Sequence, residues 1–596
     1  MTATVQLPPP DPRLRAVVVV PARDEAERIA ACLRALARQE ALAPESYEAI
    51  VVLDGCTDAT EAIAVEIARE TPALRLHTVE LPVSRGVGRA RRVGMDLACA
   101  RLLNVGREGG LIASTDADSV VAADWLAVQL ELVAAGAEAI GGRIELDPEE
   151  ARALDPSAPA ARRKAAVARR LSALSLAARA EHVDHHQFSG ASLSLTAATY
   201  VRCGGLPVRA ALEDEALERA LQTRGVEIHR SRRVRVRTSA RTSARAPRGL
   251  ARDLARSQWL ARRCYDAEEF TLERLLAAKR DSVALVLPAR EVAETIGPVL
   301  EAALRLKDAG LLDEALVVDA ASEDGTARLA ERAGVRVEQE SELLPEHGPA
   351  LGKGDAMWRG VAATVSDVVV FADTDTSNFD ERFLLGMLGP LICEPEVRFV
   401  KGTFRRPFSN GGEVLADGGG RVTELTARPL LNLHAPDLAV FSQPLAGETA
   451  ARRELLERVP FGAGYGVEIA MLIDVWRLIG LDGMAQVDLG MRQNRHQPLR
   501  DLSAMAYAVL IAAQTRFLGR AFADANACGS ILLPPTGSER AMESRRVEIE
   551  ERPPLAELGA WRPVADLGSS EVAGQPAERL ALARVRRGDG LVSARR

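Results

Sequence analysis

The chain has 596 residues, of which 47% are hydrophobic and 27% charged, values typical of a soluble globular protein with several domains. Lys plus Arg number 76 against 83 for Asp plus Glu, and the net charge of −7 argues against a dedicated nucleic-acid-binding protein. The apolar runs are too short to cross a bilayer, no basic apolar leader is evident, and the seven cysteines form no C-x-x-C pair. These features predict a cytoplasmic protein with reduced thiols, no membrane insertion and no nucleic-acid partner.

The first half predicts alternating strands and helices. Apolar runs at 17–20, 49–53 and 110–114 are typical of strands, and apolar positions at helical spacing follow the first of them. The third run ends in Asp116-Ala117-Asp118. Because ligands bind beyond the carboxyl ends of strands in open α/β sheets, these strand ends are the candidate site.

The second half repeats this order. Residues 284–296 match 17–29, and Asp373-Thr374-Asp375 follows a strand pattern at 368–372 just as the first acidic triplet follows its own strand. Landmarks that recur in one order over so long a period indicate a duplicated domain, not a short solenoid repeat. The predicted fold class is therefore α/β, with two tandem units and mostly parallel sheets.

Composition sets the predicted boundaries. The chain divides into a tail over 1–14, a first domain over 15–250, a helical linker over 251–264, a second domain over 265–525 and a Pro/Arg-rich tail over 526–596. A charged helical pattern separates the two halves, with the second beginning near Tyr265. The Pro and Arg content of the last segment predicts an arm or a partly disordered tail.

The acidic triplet of the second half predicts metal-assisted chemistry. Asp373 and Asp375 place two carboxylates at a strand end, where a divalent cation could bridge the phosphate oxygens of a leaving diphosphate. Upstream, Lys353 stands between two glycines, which let the backbone approach a phosphate closely. A helix cap for the triplet and a solvated surface loop for the lysine are the structural alternatives.

Two further segments make this pattern specific. They are G-G-G-R-V-T-E-L-T-A-R-P-L-L over 418–431 and G-A-G-Y-G-V-E-I-A over 462–470. With the acidic triplet and the Gly-Lys-Gly segment, they resemble the glucosyl-3-phosphoglycerate synthases over about 265–516. The resemblance implies a nucleotide-sugar-binding GT-A (Rossmann-like) fold. It also implies transfer of glucose from UDP-glucose to 3-phosphoglycerate, with retention of configuration and with Mg²⁺ or Mn²⁺ as cofactor.

That resemblance also implies roles for individual residues. The residues that would bind the donor are Pro288, Ala289, Arg290, Lys353 and Thr374. Those that would hold the phosphate of the acceptor are Gly420, Arg421 and Thr423. Those that would be catalytic are Asp373, Asp375, Tyr465 and Glu468, with Asp375 also on the metal.

The second half departs from the synthase family at three places. Asn494 stands where the family has a metal-binding His, and His496 follows two residues later, so each is a candidate metal ligand. Val292 replaces an acidic residue that contacts uracil in the family, and Ala320 replaces a polar one. These changes leave a mannosyl-3-phosphoglycerate synthase, or a transferase that uses another nucleotide sugar, as an alternative.

The first half resembles family 2 glycosyltransferases, which usually invert configuration. The resemblance implies donor contacts from Pro21, Asp54 and Asp116, and a metal contact from Asp118. Inversion requires a general base, and Asp214 is the candidate because it lies in an acidic run after a Gly-Gly turn. An exposed acidic helix start is the alternative.

The sequence therefore predicts two glycosyltransferase domains in tandem, the first with an undefined acceptor. The expected partners are a nucleotide sugar and 3-phosphoglycerate, and the resemblance adds a homodimer. In an alternative from another class, one half is a non-catalytic nucleotide-sugar-binding module that regulates the other. A nucleotidyltransferase is disfavoured because no Gly-rich basic phosphate loop opens either half.

Overall fold

The chain forms two compact units, Met1–Cys264 and Tyr265–Arg596. The structure is a computed structural model that describes residues 7–152, 154, 185–209, 211–243, 249–410, 413–415, 419–493, 497–526, 529–535 and 541–559. Each unit is built around one eight-stranded sheet. Among the described residues, no helix combines the length and the apolarity that crossing a bilayer requires.

The sheet of the first unit has the strand order β3-β2-β1-β4-β7-β6-β8-β5. Its strands are β1 (Ala16–Ala22), β2 (Tyr47–Asp54), β3 (Arg75–Leu81), β4 (Leu111–Ser114), β5 (Ser119–Val121), β6 (Ala139–Leu146), β7 (Leu193–Thr196) and β8 (Ile228–Thr238). The first four strands pair in parallel, whereas β7 runs antiparallel to both β4 and β6. All of β1 is buried, because helices cover a central parallel strand on both faces.

Helices of the first unit fill the connections between these strands. They are α1 (Ile29–Ala37), α2 (Thr60–Glu70), α3 (Val87–Asn104), α4 (Trp125–Ala134), α5 (Pro148–Arg152), α6 (Ala197–Arg202), α7 (Glu213–Thr223) and α8 (Leu250–Arg262). Helix α1 buries Ile29, Cys32, Leu33 and Leu36, which recur at the three- and four-residue spacing of one helix face.

The sheet of the second unit has the order β12-β11-β10-β13-β17-β14-β19-β9, which is equivalent to that of the first unit for seven strands. The last strand differs, because β9 precedes β10 in the chain whereas β5 follows β4. Its strands are β9 (Cys264–Asp266), β10 (Val283–Ala289), β11 (Glu314–Asp319), β12 (Arg336–Gln339), β13 (Val368–Phe371), β14 (Phe399–Arg405), β17 (Thr449–Arg452) and β19 (Met484–Met491). β17 is again the antiparallel strand between two others, β13 and β14. The mostly parallel α/β sheet predicted for each half is confirmed.

Helices and three small two-stranded sheets complete the second unit. The helices are α9 (Leu272–Ala278), α10 (Ile296–Asp308), α11 (Thr326–Ala333), α12 (Lys353–Ala362), α13 (Glu381–Cys393), α14 (Arg428–His434), α15 (Arg453–Leu456), α16 (Val467–Ile479), α17 (Leu502–Leu518) and α18 (Arg520–Asn526). The small sheets pair β15 (Phe408–Asn410) with β16 (Glu413–Leu415), β18 (Phe461–Gly462) with β22 (Glu551–Arg552), and β20 (Ser530–Leu533) with β21 (Glu543–Arg546).

Equivalent glycines show how closely the two units correspond. A Cβ on Gly94 of α3 would come within 2.3 Å of Val19, and a Cβ on Gly360 of α12 within 2.4 Å of Val286. In each unit, therefore, a helix lies directly on the first central strand, and only glycine permits this approach. The correspondence extends the sequence repeat to three dimensions.

The segment predicted as a Pro/Arg-rich tail contains ordered structure. Residues 529–535 and 541–559 carry β20, β21 and β22, and Leu555 is fully buried. Strand β22 pairs with β18 of the same unit. Composition predicted an arm or a partly disordered tail. In the described part of this segment, Leu555 is buried and Arg552 pairs with Asp355 of the second unit, and residues 560–596 lie outside the described residues.

Candidate active sites of the two units

The acidic triplet of the second unit lies at the end of the central strand β13, as predicted. Thr374 is buried and its Oγ1 donates a hydrogen bond to the carbonyl oxygen of Pro288 at 2.8 Å. Pro288 and Ala289 end the neighbouring strand β10, and Arg290 follows them. The structure thus brings the predicted donor-binding residues to one edge of the sheet and holds Thr374 inward between two acids.

Lys353 joins two acidic side chains that are far apart in the sequence. Its Nζ lies 2.6 Å from Asp373 Oδ1 and 2.8 Å from Glu468 Oε1. Burial alone would raise the pKa of Asp373, but Lys353 and Arg492 outweigh burial and hold that pKa below its ordinary value. Three residues predicted separately, as donor-binding and catalytic groups, therefore form one charged cluster.

Close backbone packing sets the place of Lys353. Lys353 is the first residue of α12, after Gly352 with a φ of +114°. A Cβ on the next residue, Gly354, would lie 1.8 Å from the carbonyl oxygen of Gly462. The start of α12 can approach the Gly462 segment only because position 354 has no side chain.

Arg492 is a central residue of the cluster that the sequence interpretation missed. Its Nη2 donates to Asp373 Oδ2 at 2.9 Å and to Asp375 Oδ1 at 2.8 Å, and its Nη1 donates to Glu448 at 3.1 Å. Glu448, beside β17, was also missed. Arg492 closes the stretch Leu489-Gly490-Met491-Arg492, where no short motif marks an arginine as the partner of the acidic triplet.

Two more cations lie beneath the cluster. Lys401 on β14 is 1% exposed and its Nζ donates to Thr449 Oγ1 at 3.3 Å. Burial lowers the pKa of Lys401 to about 8, with Glu468 opposing the shift. Burial, followed by the charge of Arg492, likewise lowers the pKa of Arg406. The strand register of the first unit places Gly141 where the second has Lys401.

The predicted acceptor segment adjoins these cations. The backbone N–H of Gly419 donates to the carbonyl oxygen of Arg406 at 3.0 Å. Gly420 has a φ of +72°, and Arg421 Nη2 donates to the carbonyl oxygen of Gln497 at 2.6 Å. Thr423 is buried and begins a π-helical turn that leads into α14. The segment is therefore the start of a helical stretch, a place that favours anions.

Tyr465 and Glu468 share one motif but differ in exposure. Tyr465 is 48% exposed, whereas Glu468 is buried in the first turn of α16 and held by Lys353. Glu468 therefore belongs to the charged cluster through its contact with Lys353, while Tyr465 lies at the exposed side of the same motif.

A metal site would have to be built around Asp375. Its side chain is 54% exposed, with one carboxylate oxygen on Arg492. Asn494 and His496, the candidate metal ligands, lie outside the described residues. In the part of the chain that is described, no group of three or more His, Cys, Asp or Glu side chains is arranged to hold a metal. Hard carboxylate oxygens at an open strand end suit Mg²⁺ or Mn²⁺ when substrate oxygens complete the coordination.

Arginines neutralise the acidic triplet of the first unit. Arg91 Nη2 lies 2.7 Å from Asp116 Oδ1, and its Nε lies 3.1 Å from Glu213 Oε1. Arg241 Nη2 lies 2.8 Å from Asp118 Oδ2 and also contacts Glu25. Burial and the neighbouring Asp116 raise the pKa of Asp118 to about 6. Sequence interpretation found both aspartates but neither arginine.

The other predicted residues of the first unit are held by backbone groups. Asp54 accepts hydrogen bonds from the N–H groups of Arg85 and Gly86, both at 3.2 Å. Asp214, the predicted base, accepts from the N–H groups of Gly190 at 3.1 Å and Glu215 at 2.9 Å. Pro21 lies within β1, next to Val52 of β2.

The hydrogen bonding of a further carboxylate differs between the two units. Asp319 ends β11 as Asp54 ends β2, and its Oδ2 accepts from Ser322 and Gln339 at 3.0 Å. Asp319 Oδ1 is buried and has no hydrogen-bond partner among the described residues. The buried Oδ1 of Asp319 therefore lacks a donor among the described residues, whereas both oxygens of Asp54 accept protein hydrogen bonds.

Two tandem α/β units, each with an Asp-x-Asp at the end of a central strand, define a nucleotide-sugar-dependent glycosyltransferase. The sequence model of Glycosyl transferase family 2 matches residues 17–171 and 284–434, and the chain belongs to this family. The predicted duplication of one transferase fold is thereby confirmed.

Known proteins similar to this chain agree with the predicted resemblance. A glucosyl-3-phosphoglycerate synthase of Mycolicibacterium smegmatis is 41% identical over 302 residues, which cover 50% of this chain and 98% of the relative. One of Petrotoga mobilis is 36% identical over 293 residues, 48% of this chain and 90% of the relative. The crystal structure of a mannosyl-3-phosphoglycerate synthase from Rubrobacter xylanophilus is 44% identical, covers 51% of this chain and 99% of its own, and has a TM-score of 0.47.

Proposed function

We propose that the second unit transfers glucose from UDP-glucose to 3-phosphoglycerate, with retention, to give glucosyl-3-phosphoglycerate. The observation that carries the proposal is the junction of Lys353 with Asp373 and Glu468, which gathers the motif residues into one site. The synthases that are 36–41% identical over nearly their whole length support this choice of donor and acceptor.

The donor would lie along the carboxyl edge of β10, β11 and β13. There Lys353 would pair with the diphosphate, and the open Asp319 Oδ1 would accept an N–H of the base. Asp375 would hold a divalent cation, with Asn494 or His496 as the additional ligand that the sequence predicts. When bound, the cation would neutralise charge on the leaving diphosphate.

The acceptor phosphate would bind at the start of the helical stretch after Gly420. Arg421 offers a planar cation and Thr423 a hydroxyl, and the first backbone N–H groups of a helical stretch favour an anion. Arg406, which touches Gly419 through its carbonyl oxygen, brings another cation to this segment. The phosphate groups of both substrates would thus lie close to cationic side chains of the second unit.

Retention would proceed by attack on the same face from which the diphosphate leaves. Glu468 Oε1 lies 2.8 Å from the Lys353 ammonium, and a carboxylate engaged in such a charge-assisted hydrogen bond is less nucleophilic than a free one. This pairing favours a role for Glu468 in orienting the sugar or the acceptor, with Tyr465 at the exposed side of the same motif.

For the first unit we favour a nucleotide-sugar-binding module that is non-catalytic or has another acceptor. Val87 stands at the start of α3 where the second unit has Lys353 at the start of α12. Both oxygens of Asp214 accept backbone hydrogen bonds, which opposes a role as general base.

The test is transfer by the purified full chain with 3-phosphoglycerate, Mg²⁺ or Mn²⁺ and a panel of nucleotide sugars, with products identified by mass spectrometry. UDP-glucose is expected to yield a hexosyl-phosphoglycerate that Asp375→Ala abolishes and Asp118→Ala spares. A product formed from GDP-mannose alone would identify GDP-mannose as the donor. Loss of product in Asp118→Ala alone would move the activity to the first unit.

A further inference from the structure

Residues 547–558 form a C-terminal arm that packs on the catalytic side of the second unit. Its strand Glu551–Arg552 runs antiparallel to Phe461–Gly462, and the N–H of Ala463 donates to the carbonyl oxygen of Glu550 at 2.8 Å. The indole N–H of Trp358 donates to the carbonyl oxygen of Pro553 at 2.9 Å. The C-terminal arm therefore contacts both α12 and the segment that precedes α16.

Arg552 makes the most extensive contact of the C-terminal arm. Its Nε lies 2.7 Å from Asp355 Oδ1 and its Nη2 lies 2.8 Å from Asp355 Oδ2, a two-pronged pair. The same guanidinium donates to the carbonyl oxygens of His347 and Pro349. Asp355 is fully buried and also lies 3.1 Å from Arg359 Nε, so Arg552 and Arg359 share its carboxylate in an ion cluster that is shielded from water.

Asp355 lies in the first turn of α12, two residues after Lys353. Its Oδ2 also accepts from the N–H of Leu351 at 3.0 Å. Arg552 thus fixes the chain on both sides of Lys353: the 347–349 carbonyls before it and the Asp355 carboxylate after it. A displacement of either side would move the Lys353 ammonium away from Asp373 and Glu468.

The C-terminal arm also contacts the motif that supplies Glu468. The carbonyl oxygen of Ala463 accepts from the N–H groups of Gly354 at 2.9 Å and Asp355 at 3.2 Å. A Cβ on Gly464 would come within 2.9 Å of the carbonyl oxygen of Glu548 in the arm. One short arm therefore joins the two segments whose side chains meet at Lys353.

The first unit shows that the fold does not require this arrangement. Gly88 and Gly354 are equivalent, since a Cβ on either would clash with a backbone carbonyl oxygen, that of Arg209 or Gly462. The residue after Gly354 is Asp355, whereas the residue after Gly88 is Arg89. The second unit thus has both Lys353, which contacts the acidic triplet, and Asp355, which pairs with Arg552. The first unit has Val87 and Arg89 at the equivalent places.

We propose that Arg552 is a positioning residue for glycosyl transfer, which holds Lys353 and the Tyr465–Glu468 motif in register through Asp355. The C-terminal arm is then a part of the donor site, although it contributes no group to the reacting atoms. This inference rests on the transfer reaction proposed for the second unit.

The experiment compares the full-length wild type with Arg552→Ala, Arg552→Lys and Arg546→Ala. Arg546 is the matched control, because it lies on the neighbouring strand β21 and its side chain is 82% exposed. Hydrogen–deuterium exchange is measured for peptides covering 347–356 and 461–468, together with KM for UDP-glucose, KM for 3-phosphoglycerate and kcat. Arg552→Lys keeps the charge without the fork, and provides the test if Arg552→Ala does not fold.

Arg552→Ala is expected to speed exchange in both segments by roughly tenfold or more while distant peptides keep wild-type exchange. KM for UDP-glucose should rise by about tenfold or more, with a smaller change for 3-phosphoglycerate. Arg552→Lys should lie between the two, and Arg546→Ala should match the wild type.

Unchanged exchange in 347–356, or a lower melting temperature with wild-type KM values, would overturn the proposal and leave the C-terminal arm with a purely structural role. If the wild type transfers no sugar at all, the proposed function fails. The exchange measurement then still decides whether Arg552 orders the two segments.

Discussion

Arg241 in the first unit and Arg492 in the second occupy the same place relative to their acidic triplets. Arg241 follows β8 and Arg492 follows β19, the strands that occupy the same place in the spatial order of the two sheets. Each arginine places Nη2 2.8 Å from the second aspartate of its triplet, Asp118 or Asp375. Each also binds a buried glutamate. The duplicated fold thus preserves a charge-balancing arginine at a position that no short sequence motif marks.

Replacement of Arg492 by Met should destabilise the second unit strongly. Asp373 and the buried Glu448 would lose their shared cation, and a buried charge without its partner costs about 3–5 kcal/mol. Chemical denaturation of the full chain would measure the loss. Arg233→Met is the control, because Arg233 is exposed and pairs with the exposed Glu131, so little change in stability is expected. Equal stability of the two variants would show that the cluster around Arg492 is not tightly coupled.

Lys353→Met should slow transfer strongly while the protein stays folded. The side chain keeps its length and packing, but the diphosphate would lose its cation, and Asp373 and Glu468 would face each other without one. A loss of kcat/KM of roughly 10²–10³-fold is expected for removal of one such group. Initial rates and a melting curve would be recorded beside Lys307→Met, an exposed lysine on α10. Wild-type rates in Lys353→Met would remove the lysine from the donor site.

Glu340 gives the second unit a defined pH dependence. Burial, followed by the charge of Asp355, raises the pKa of Glu340 from 4.5 to about 7. Between these values the folded state binds more protons than the unfolded state, so the free energy of unfolding falls as pH rises through this window. Glu340→Gln mimics the protonated form. It should stabilise the protein by about 1–3 kcal/mol above pH 7 and have no such advantage below pH 4.5.

Urea denaturation of the wild type and Glu340→Gln at several pH values would check this dependence. Glu342→Gln, two residues away and exposed, controls for the change in net charge. A stability difference that stays constant between pH 4.5 and 8 would contradict a raised pKa at Glu340.

Chelation should stop transfer, and Mn²⁺ or Mg²⁺ should restore it. Because Asp375 offers the most exposed carboxylate of the cluster, Asp375→Asn should raise the metal concentration for half-maximal rate by roughly ten- to a hundredfold. Asp482→Asn, at an exposed position, should keep the wild-type metal dependence. Full activity after exhaustive chelation would remove the metal from the mechanism.

The strands and the acidic triplets could be predicted because their signals are local. The apolar run at 368–372 and the aspartates that end it are adjacent in the chain. The contact of Arg492 with Glu448 joins residues 44 apart, and that of Arg552 with Asp355 joins residues 197 apart. Periodicity and spacing carry no information on such pairs. The burial of Lys401 could not be predicted for another reason. A lysine on a strand is ordinarily exposed, and it is the register of β14 in the sheet that buries this one.

Gly354 offers the sharpest test of the site geometry. A Cβ at this position would lie 1.8 Å from a backbone carbonyl oxygen, that of Gly462, which cannot rotate away as a side chain could. Gly354→Ala should therefore displace the start of α12, lower the melting temperature and reduce transfer by about 10²-fold, since a shift of one ångström at a reacting group costs that much. Gly297→Ala, on α10 with no atom within 4 Å of the added methyl, should be neutral or slightly stabilising.

Gly88→Ala makes the equivalent clash in the first unit, where the methyl would lie 2.2 Å from the carbonyl oxygen of Arg209. If the second unit alone forms glucosyl-3-phosphoglycerate, Gly88→Ala should spare that product while Gly354→Ala removes it, and the reverse result would assign the reaction to the first unit.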